Sequence, residues 1–518
     1  MARDGRLRFA LTLHWRSWFP PDLDIEIDLQ LLRRQLPWSL ARVSERFFSR
    51  LSGLLALAWT LLTFSLLSPF ADRAPWLFWA GALPFVLLLL VVFGHELWRR
   101  SCPLAYLSRL PQALWPWGIG RSPGHPRRLD RQSWLARHHL ALQGLLLFLG
   151  LALRLLLVNS HAPSLALLFV VTIVAAVVCG ALLPGKAWCQ FLCPMGPVEA
   201  IITGPRGLLG SRSHRLSAGD LSQSTCRVTT DGGSDRIACV HCQSPCIDID
   251  SEQVYWQSLR PGDGLTRFTW MYPGLVLAFF LVLGHLCNDS LQALRSGAWS
   301  RLNDAPALLL QPLPPGLLPP LLQGPRLLTV PAVLLVGSLA SGCALGLLHR
   351  GGLSRHRSRL LATAAALSVF FWCVDPSLGL GGAIGSWVLR GTGFVCLGLW
   401  LRREWRRGLR HHSRERLLHS LGLQLQRHLP PLVQGAPAGP RRHAALPAVL
   451  SWMAQQDPSL RRKLQAPLLR GLLNDLRRQP HLDPHALVRD LLTLHRALGL
   501  QGPDLGDLLA RLGRRQDA

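Results

Sequence analysis

In the stretch WCQFLCPMGP (188–197), Cys189 and Cys193 are separated by three residues, and Pro194 is fused to the second cysteine. Further along, CRVTTDGGSDRIACVHCQSPCIDID (226–250) adds Cys226, Cys239, Cys242 and Cys246. Half of the chain's 12 cysteines thus crowd between 189 and 246. Thiolates at such short spacings suit an iron–sulfur cluster, in which each iron takes a cysteine sulfur and the backbone must curl around a compact cube. Cys239-x2-Cys242-x3-Cys246 allows that curl. Pro194 lacks an N–H and disfavours helical geometry at Cys193, which places a helix end there and turns both thiols of the first pair toward a common point. Gly196 and Pro197, with Gly232-Gly233, suit tight backbone around a cofactor. Four thiolates in a Cys-x2-Cys context would equally make a structural zinc site.

Long apolar blocks must position these cysteines. The chain has 518 residues, 49% of them hydrophobic. Runs long enough to cross about 30 Å of hydrocarbon occur near 50–70, 76–96, 139–158, 164–184, 271–287, 327–348, 359–375 and 383–401. The expectation is an all-α integral membrane protein of about eight spans, with the fifth and seventh short. No N-terminal run reads as a cleaved signal peptide. The formal net charge of +27 is placed unevenly. Eight arginines fall between 97 and 137, eight Arg or Lys between 185 and 270, and four arginines between 350 and 359, whereas the alternate loops hold Arg73, Arg295, Arg301 and Arg326. The positive-inside rule then puts both termini and the cysteine segment in the cytoplasm of a bacterial-type plasma (inner) membrane. Thiols stay reduced there, which argues against disulfides. The basic charge reads as a topology signal, and nucleic acid is not expected as a partner.

The element CQFLCPMGPVEA after a membrane helix resembles the Cys-x3-Cys-Pro-x-Gly signature of membrane-bound 4Fe-4S polyferredoxins, the group of NapH-, NosR- and CcoG-like proteins. CVHCQSPCIDID is similar to the ferredoxin-type segment that follows in them. The resemblance covers roughly residues 80–260. It implies a helical membrane bundle with [4Fe-4S] clusters at the cytoplasmic side, held by Cys189, Cys193, Cys239, Cys242 and Cys246, with Cys226 joining by proximity. The chain departs from that pattern by having three cysteines in the second segment and Ile247 where proline would stand. A lone Cys102-Pro103, in WRRSCPLAYLSRL, resembles half of the same motif and is either a seventh ligand or a reduced thiol. Two all-cysteine clusters need eight thiolates, so a second one would require Cys179, His241 or Asp248 in addition. One cluster is expected and two are open.

Other residues give weaker signals. Cys179, Cys287, Cys343, Cys373 and Cys396 in apolar runs read as small hydrophobes. A bis-histidine haem b would use His95 with His139 or His349; the alternative for these, and for His138, His161 and His285, is interfacial histidine. Arg390 lies inside the last run and either pairs with Asp375 or snorkels. Gly379 to Gly385 reads as a turn. The chain thus divides into five regions: an interfacial segment 1–45, spans 46–184, the cytoplasmic cysteine segment 185–270, with a ferredoxin-like loop, spans 271–401, and a basic helical domain 402–518 suited to docking a membrane-complex partner or gripping anionic lipid. The expected function is electron transfer between a cytoplasmic redox protein and a membrane acceptor such as a quinone, a haem or a metal centre. A zinc-binding transporter or assembly factor with a structural cysteine loop is the alternative.

Overall fold

The structure, a computed structural model, describes residues 45–68, 77–111, 133–158, 162–183, 186–209, 227–229, 235–237, 247–286, 309–310, 312, 324–373, 382–409 and 412. The chain divides into two compact bodies, one of Leu36–Gly408 and one of Met1–Gln35 with Leu409–Ala518. The named helices and strands of the described residues all belong to the first body. Cys226, Cys239, Cys242, Cys246, His241, Cys287 and Asp375, and the rest of the basic domain, lie outside the described residues.

Each of the eight apolar runs coincides with a helix. The first is α1 (Glu45–Ser65); the second is a π turn (Leu77–Ala82) running into α2 (Leu83–Phe93). Two short helices come next, α3 (His95–Ser101) and α4 (Pro103–Leu107). The third and fourth runs are α5 (Trp134–Leu153), prolonged by a π turn (Arg154–Val158), and α6 (Ala162–Leu182). The cysteine segment contributes a π turn (Trp188–Leu192), α7 (Met195–Thr203), a hairpin of β1 (Arg227–Thr229) and β2 (Asp235–Ile237), and α8 (Ile247–Gln257). The remaining runs are α9 (Gly264–Leu286), α10 (Arg326–Arg350), α11 (Arg355–Cys373) and α12 (Gly382–Arg406). Five helices are long and apolar enough to cross a membrane: Phe47–Ser65, Trp134–Val158, Pro163–Leu182, Gly264–Gly284 and Arg326–Arg350. The protein is therefore mostly helical, with the character of a multi-pass membrane protein.

The fifth run is longer than its apolar part suggests. Its helix starts seven residues earlier, at Gly264, because polar residues of its first turns are satisfied locally: Thr266 Oγ1 donates to the Ser258 carbonyl at 2.6 Å and Thr269 Oγ1 to Leu265 at 2.7 Å. The glycine-rich stretch expected as a turn is helical from Gly382 onward. Likewise, α6 ends at Leu182, and the helix break at Cys193 belongs to a separate π turn rather than to the fourth span.

The core is built on α9. Its Leu275, Val276, Phe279 and Leu283 are buried against Val330 and Leu334 of α10, Leu360, Leu367 and Phe371 of α11, and Leu397 and Trp400 of α12. Between α9 and α10 the backbones touch. A Cβ on Gly274 would lie 1.9 Å from the Gly337 carbonyl oxygen, and one on Gly337 would lie 2.7 Å from the Ala278 Cβ. Small residues at such crossings substitute close backbone packing for the hydrophobic drive that lipid removes. Gly337→Leu should force these helices apart and cost at least about 1–3 kcal/mol by overpacking, read as a lower thermal midpoint in detergent; Gly391→Leu, where nothing lies within 4 Å of the added Cβ, should leave the midpoint nearly unchanged.

Candidate cofactor site

Two cysteines that the sequence separates by ninety residues adopt one local structure. Cys102 ends α3 with φ −59° and ψ 122°, and Cys193 ends the π turn with φ −60° and ψ 119°. The cause is the proline after each, which pushes the preceding residue out of helical geometry. Each cysteine N–H still closes the element behind it, at 2.8 Å from the carbonyl of Trp98 or Trp188. Pro103 is the first residue of α4 and Pro194 the residue that caps the start of α7, places where a missing N–H costs little. The backbone N–H groups that follow lower each thiol's pKa, those of Leu104 and Ala105 at Cys102 and those of Met195 and Gly196 at Cys193, although the Gly196 N–H also donates to the Cys193 carbonyl at 3.0 Å.

The two thiols face one electrostatic environment. Both residues keep some surface, but their sulfurs are buried, which pushes Cys102 up to about 11 and Cys193 to about 12. An ionised Cys102 adds to the rise at Cys193, and Glu199 raises both. Lys186 acts in the opposite sense on Cys102; its Nζ donates to the Arg99 carbonyl at 2.8 Å, at the end of α3. Glu199 contacts His95 Nδ1 at the start of that helix. The glycine of the CPMG stretch has a packing reason, since a Cβ on Gly196 would lie 2.8 Å from Gln143 Nε2. That amide reaches across from α5 and donates to the Cys189 carbonyl at 3.3 Å.

The cysteine segment is held at both ends. Its first end is the stretch 204–209. There the Leu208 N–H donates to Val91 at 2.8 Å, and Arg403 donates to the carbonyls of Arg206 and Gly207 at 3.0 and 2.9 Å. Its second end is α8. Glu252 is fully buried on it, with one carboxylate oxygen taking Arg206 and the other Arg407, each at 2.7 Å. Arg407 also reaches Glu404 at 3.0 Å. Beside this network His356 stacks on Trp256 at 4.7 Å; its Nε2 donates to the Glu404 carbonyl at 2.9 Å, which leaves Nδ1 to accept from the Tyr255 hydroxyl at 3.0 Å. Between these ends, β1 pairs with β2 with Arg227 opposite Ile237. At the open end of this hairpin the chain runs into Cys226 on one side and toward Cys239 on the other.

The structure thus brings Cys102 and Cys193 into one electrostatic environment and seats Cys189 one turn before Cys193. Cys179 is packed with Ala176, Ala187, Trp188 and Phe191. Among the described residues no group of three or more His, Cys, Asp or Glu is arranged to hold a metal. The histidines considered for haem have protein partners: His95 meets Glu199, His139 Nδ1 meets the Ala136 carbonyl at 2.7 Å, and His349 Nδ1 meets that of Leu353 at 2.7 Å. Arg390 lies over the Trp387 ring at 5.5 Å. Arg154 was missed by loop counting because it sits inside a span; it is buried in the π turn after α5, over the rings of Trp79 at 3.4 Å and Phe279 at 4.8 Å. Its signal was available in the sequence, as a lone arginine within an apolar run. Compared with known families, curated proteins and solved structures, the chain gives no match.

This geometry sets two expected outcomes. Glu252→Gln removes the carboxylate shared by two buried guanidinium groups and should cost about 3–5 kcal/mol, seen as a lower thermal midpoint and faster trypsin cleavage at Arg212 and Arg236. In the cofactor-free chain, Cys193 should alkylate slowly at pH 8 and approach its full rate only as the pH climbs toward 12. Both thiols lie above the ordinary value of 9.0 in the fold, so their burial favours folding fully below about pH 9, and that contribution is lost as pH rises through 11 to 12. A Cys193 that reacts at pH 8 as fast as a free thiol would contradict the burial.

Proposed function

We propose that the chain is a membrane-integral iron–sulfur protein that passes electrons between a cytoplasmic redox partner and a membrane acceptor, a quinone, a haem or a metal centre. The observation that carries this reading is the pair of Cys-Pro turns, two buried thiols in matching backbone settings, each served by N–H donors. Such donors favour the thiolate, the form that binds iron, and hydrogen bonds to sulfur tune a cluster's potential. Burial that opposes ionisation of the free thiols is offset when a cation is bound to them.

The residues that would hold a [4Fe-4S] cluster are Cys189, Cys193, Cys226, Cys239, Cys242 and Cys246, with Cys102 as a seventh thiol. When bound, the cluster supplies one-electron transfer at thiolate-ligated iron. The chain's own part is to fix and shield. The proline turns set the direction of two thiols, Gln143 holds the Cys189 carbonyl, and the Glu252 network keeps α8 against the turn after α7. One cluster is proposed; seven thiols are one short of two. A haem b on His95 with His139 or His349 stays a secondary option, since the partners of these histidines named above are at Nδ1, which is compatible with ligation through Nε2. In the same reading all eight helices cross the plasma membrane, the cysteine end and both termini face the cytoplasm, and the C-terminal body docks a partner of the membrane complex. A zinc-binding transporter or assembly factor is the second reading, favoured by Cys239-x2-Cys242.

Anaerobic purification followed by metal analysis separates the two. Iron and sulfide in comparable amounts, with broad visible absorbance that bleaches on reduction, are expected; zinc without sulfide would refute the proposal. Replacing Cys193 or Cys239 with Ser should remove most of the iron, whereas Cys343→Ser should leave it in place. Equal loss from both sets would show that these thiols are not ligands.

A further inference from the structure

One end of the helical body carries unpaired basic charge. Arg50 of α1, Arg137 of α5, Arg267 of α9, Arg350 of α10, Arg357 of α11 and Arg402 of α12 are all exposed. None makes an ion pair among the described residues. Contacts between the helices place them at a common end. Arg100, after α2, lies over Phe48 of α1; Gly264 of α9 meets Leu140 of α5; Trp270 of α9 donates to Ser358 of α11 at 2.9 Å; and His356 of α11 meets Glu404 of α12. At the other end, among the described residues, no arginine or lysine is exposed: Arg326 is part-buried and Arg154 and Arg390 are buried.

The arginines continue apolar stripes that face away from the protein. On α1, exposed Leu54, Leu57 and Leu61 lead away from Arg50. On α5, Leu145, Leu149 and Leu153 follow Arg137 at four-residue steps. Val336, Leu339 and Leu347 run up to Arg350 on α10, as Val395 and Leu399 do to Arg402 on α12. Mixed spacing of three and four residues keeps the stripes of α1, α10 and α12 on one face of their helices, whereas the uniform four-residue steps of α5 wind slowly around it. At the same end Trp134 is exposed and stacks on His138 at 5.1 Å, and Arg357 lies over the Trp405 ring at 5.1 Å. Aromatic rings in this position mark the level of lipid headgroups.

We propose that this end of the body is a collar for acidic phospholipid, with Arg50, Arg137, Arg350 and Arg402 each binding a headgroup phosphate at the foot of an apolar stripe. A guanidinium fork matches a phosphate in two-pronged fashion. The unpaired positive charge favours lipids whose headgroup leaves that phosphate uncompensated. The distribution decides the occupant: the four arginines stand on four different helices, each carrying an exposed apolar stripe, where acyl chains would cover the stripe and a headgroup the arginine. An acidic protein would need them gathered on one face. The inference rests on the multi-pass character of the chain and is independent of the cysteine chemistry.

The test uses the full chain in nanodiscs of equimolar phosphatidylglycerol and phosphatidylcholine, with lipid retained after detergent extraction counted by mass spectrometry. Retained lipid should be enriched in phosphatidylglycerol, each arginine contributing up to about fivefold near an anionic surface, and the enrichment should fall with added salt. The variant R50Q/R137Q/R350Q/R402Q should retain both lipids nearly equally, the matching lysine variant should keep part of the preference, and Arg326→Gln should keep all of it. Should the fourfold variant fail to fold, the four single glutamine variants, each expected to lose a share, decide the matter. No enrichment in the unaltered chain, or enrichment that survives the glutamine changes, overturns the collar. So does displacement of the lipid preference by polyglutamate at equal charge, which would assign the arginines to an acidic polypeptide.

Discussion

A single carboxylate, that of Glu252, decides how the cysteine segment meets the membrane body. It is fully buried, and it uses one oxygen for the turn after α7 and the other for the end of α12. An ionised group can sit there only because two guanidinium groups face it; alone it would cost several kcal/mol. Both partners depend on it in return. The body therefore closes the base of a long insertion with buried charge alongside the buried rings of Tyr255 and Trp256. A buried ionic joint of this kind tolerates little change in register, because a shift of one residue would strand a charge.

The two Cys-Pro turns show a different economy. Nothing in the fold requires α3 and the π turn at 188–192 to stop at a cysteine, but once proline follows, the cysteine must leave the helix and the next helix must begin with unsatisfied N–H groups. Those groups would otherwise be a cost in a buried place. Here they lie where they lower the pKa of the neighbouring thiol, so the same backbone break that ends one element also favours a thiolate. The similarity of the dihedral angles at Cys102 and Cys193 comes from this chemistry and needs no common sequence around them, which accounts for Trp98 standing where the second turn has Cys189.

Much of this was legible in the sequence, and the illegible parts have physical causes. All eight apolar runs coincide with helices, and five of these are long and apolar enough to cross a membrane, where a single chain segment satisfies its backbone only as a helix or within a closed barrel. Boundaries were lost where polar side chains cap or bond locally, as at Gly264, and where glycines sit in a helix start, as at Gly382. The Cys-Pro break at Cys193 could be read from proline alone. The kinship of Cys102 with Cys193 was visible as half a motif, but its place beside Glu199 and Lys186 was not, because contacts across ninety residues leave no periodic trace. The Arg206–Glu252–Arg407 joint was invisible for the same reason: three charges far apart in the chain look like ordinary solvated residues.

Charge placement in this molecule obeys two opposite rules, and depth separates them. At the cysteine end, exposed arginines stand without acidic partners among the described residues, where solvent and headgroups screen them. One layer further in, charges meet counter-charges, aromatic faces or carbonyls: Arg206 and Arg407 meet Glu252, Arg403 meets Glu404, Arg154 and Arg390 meet aromatic faces, and Lys186 meets the Arg99 carbonyl. The energetic difference is the dielectric, which makes an unmatched charge tolerable at the rim and prohibitive inside. Among the described residues the exposed arginines without acidic partners are thus confined to one end, a distribution compatible with a stable interior.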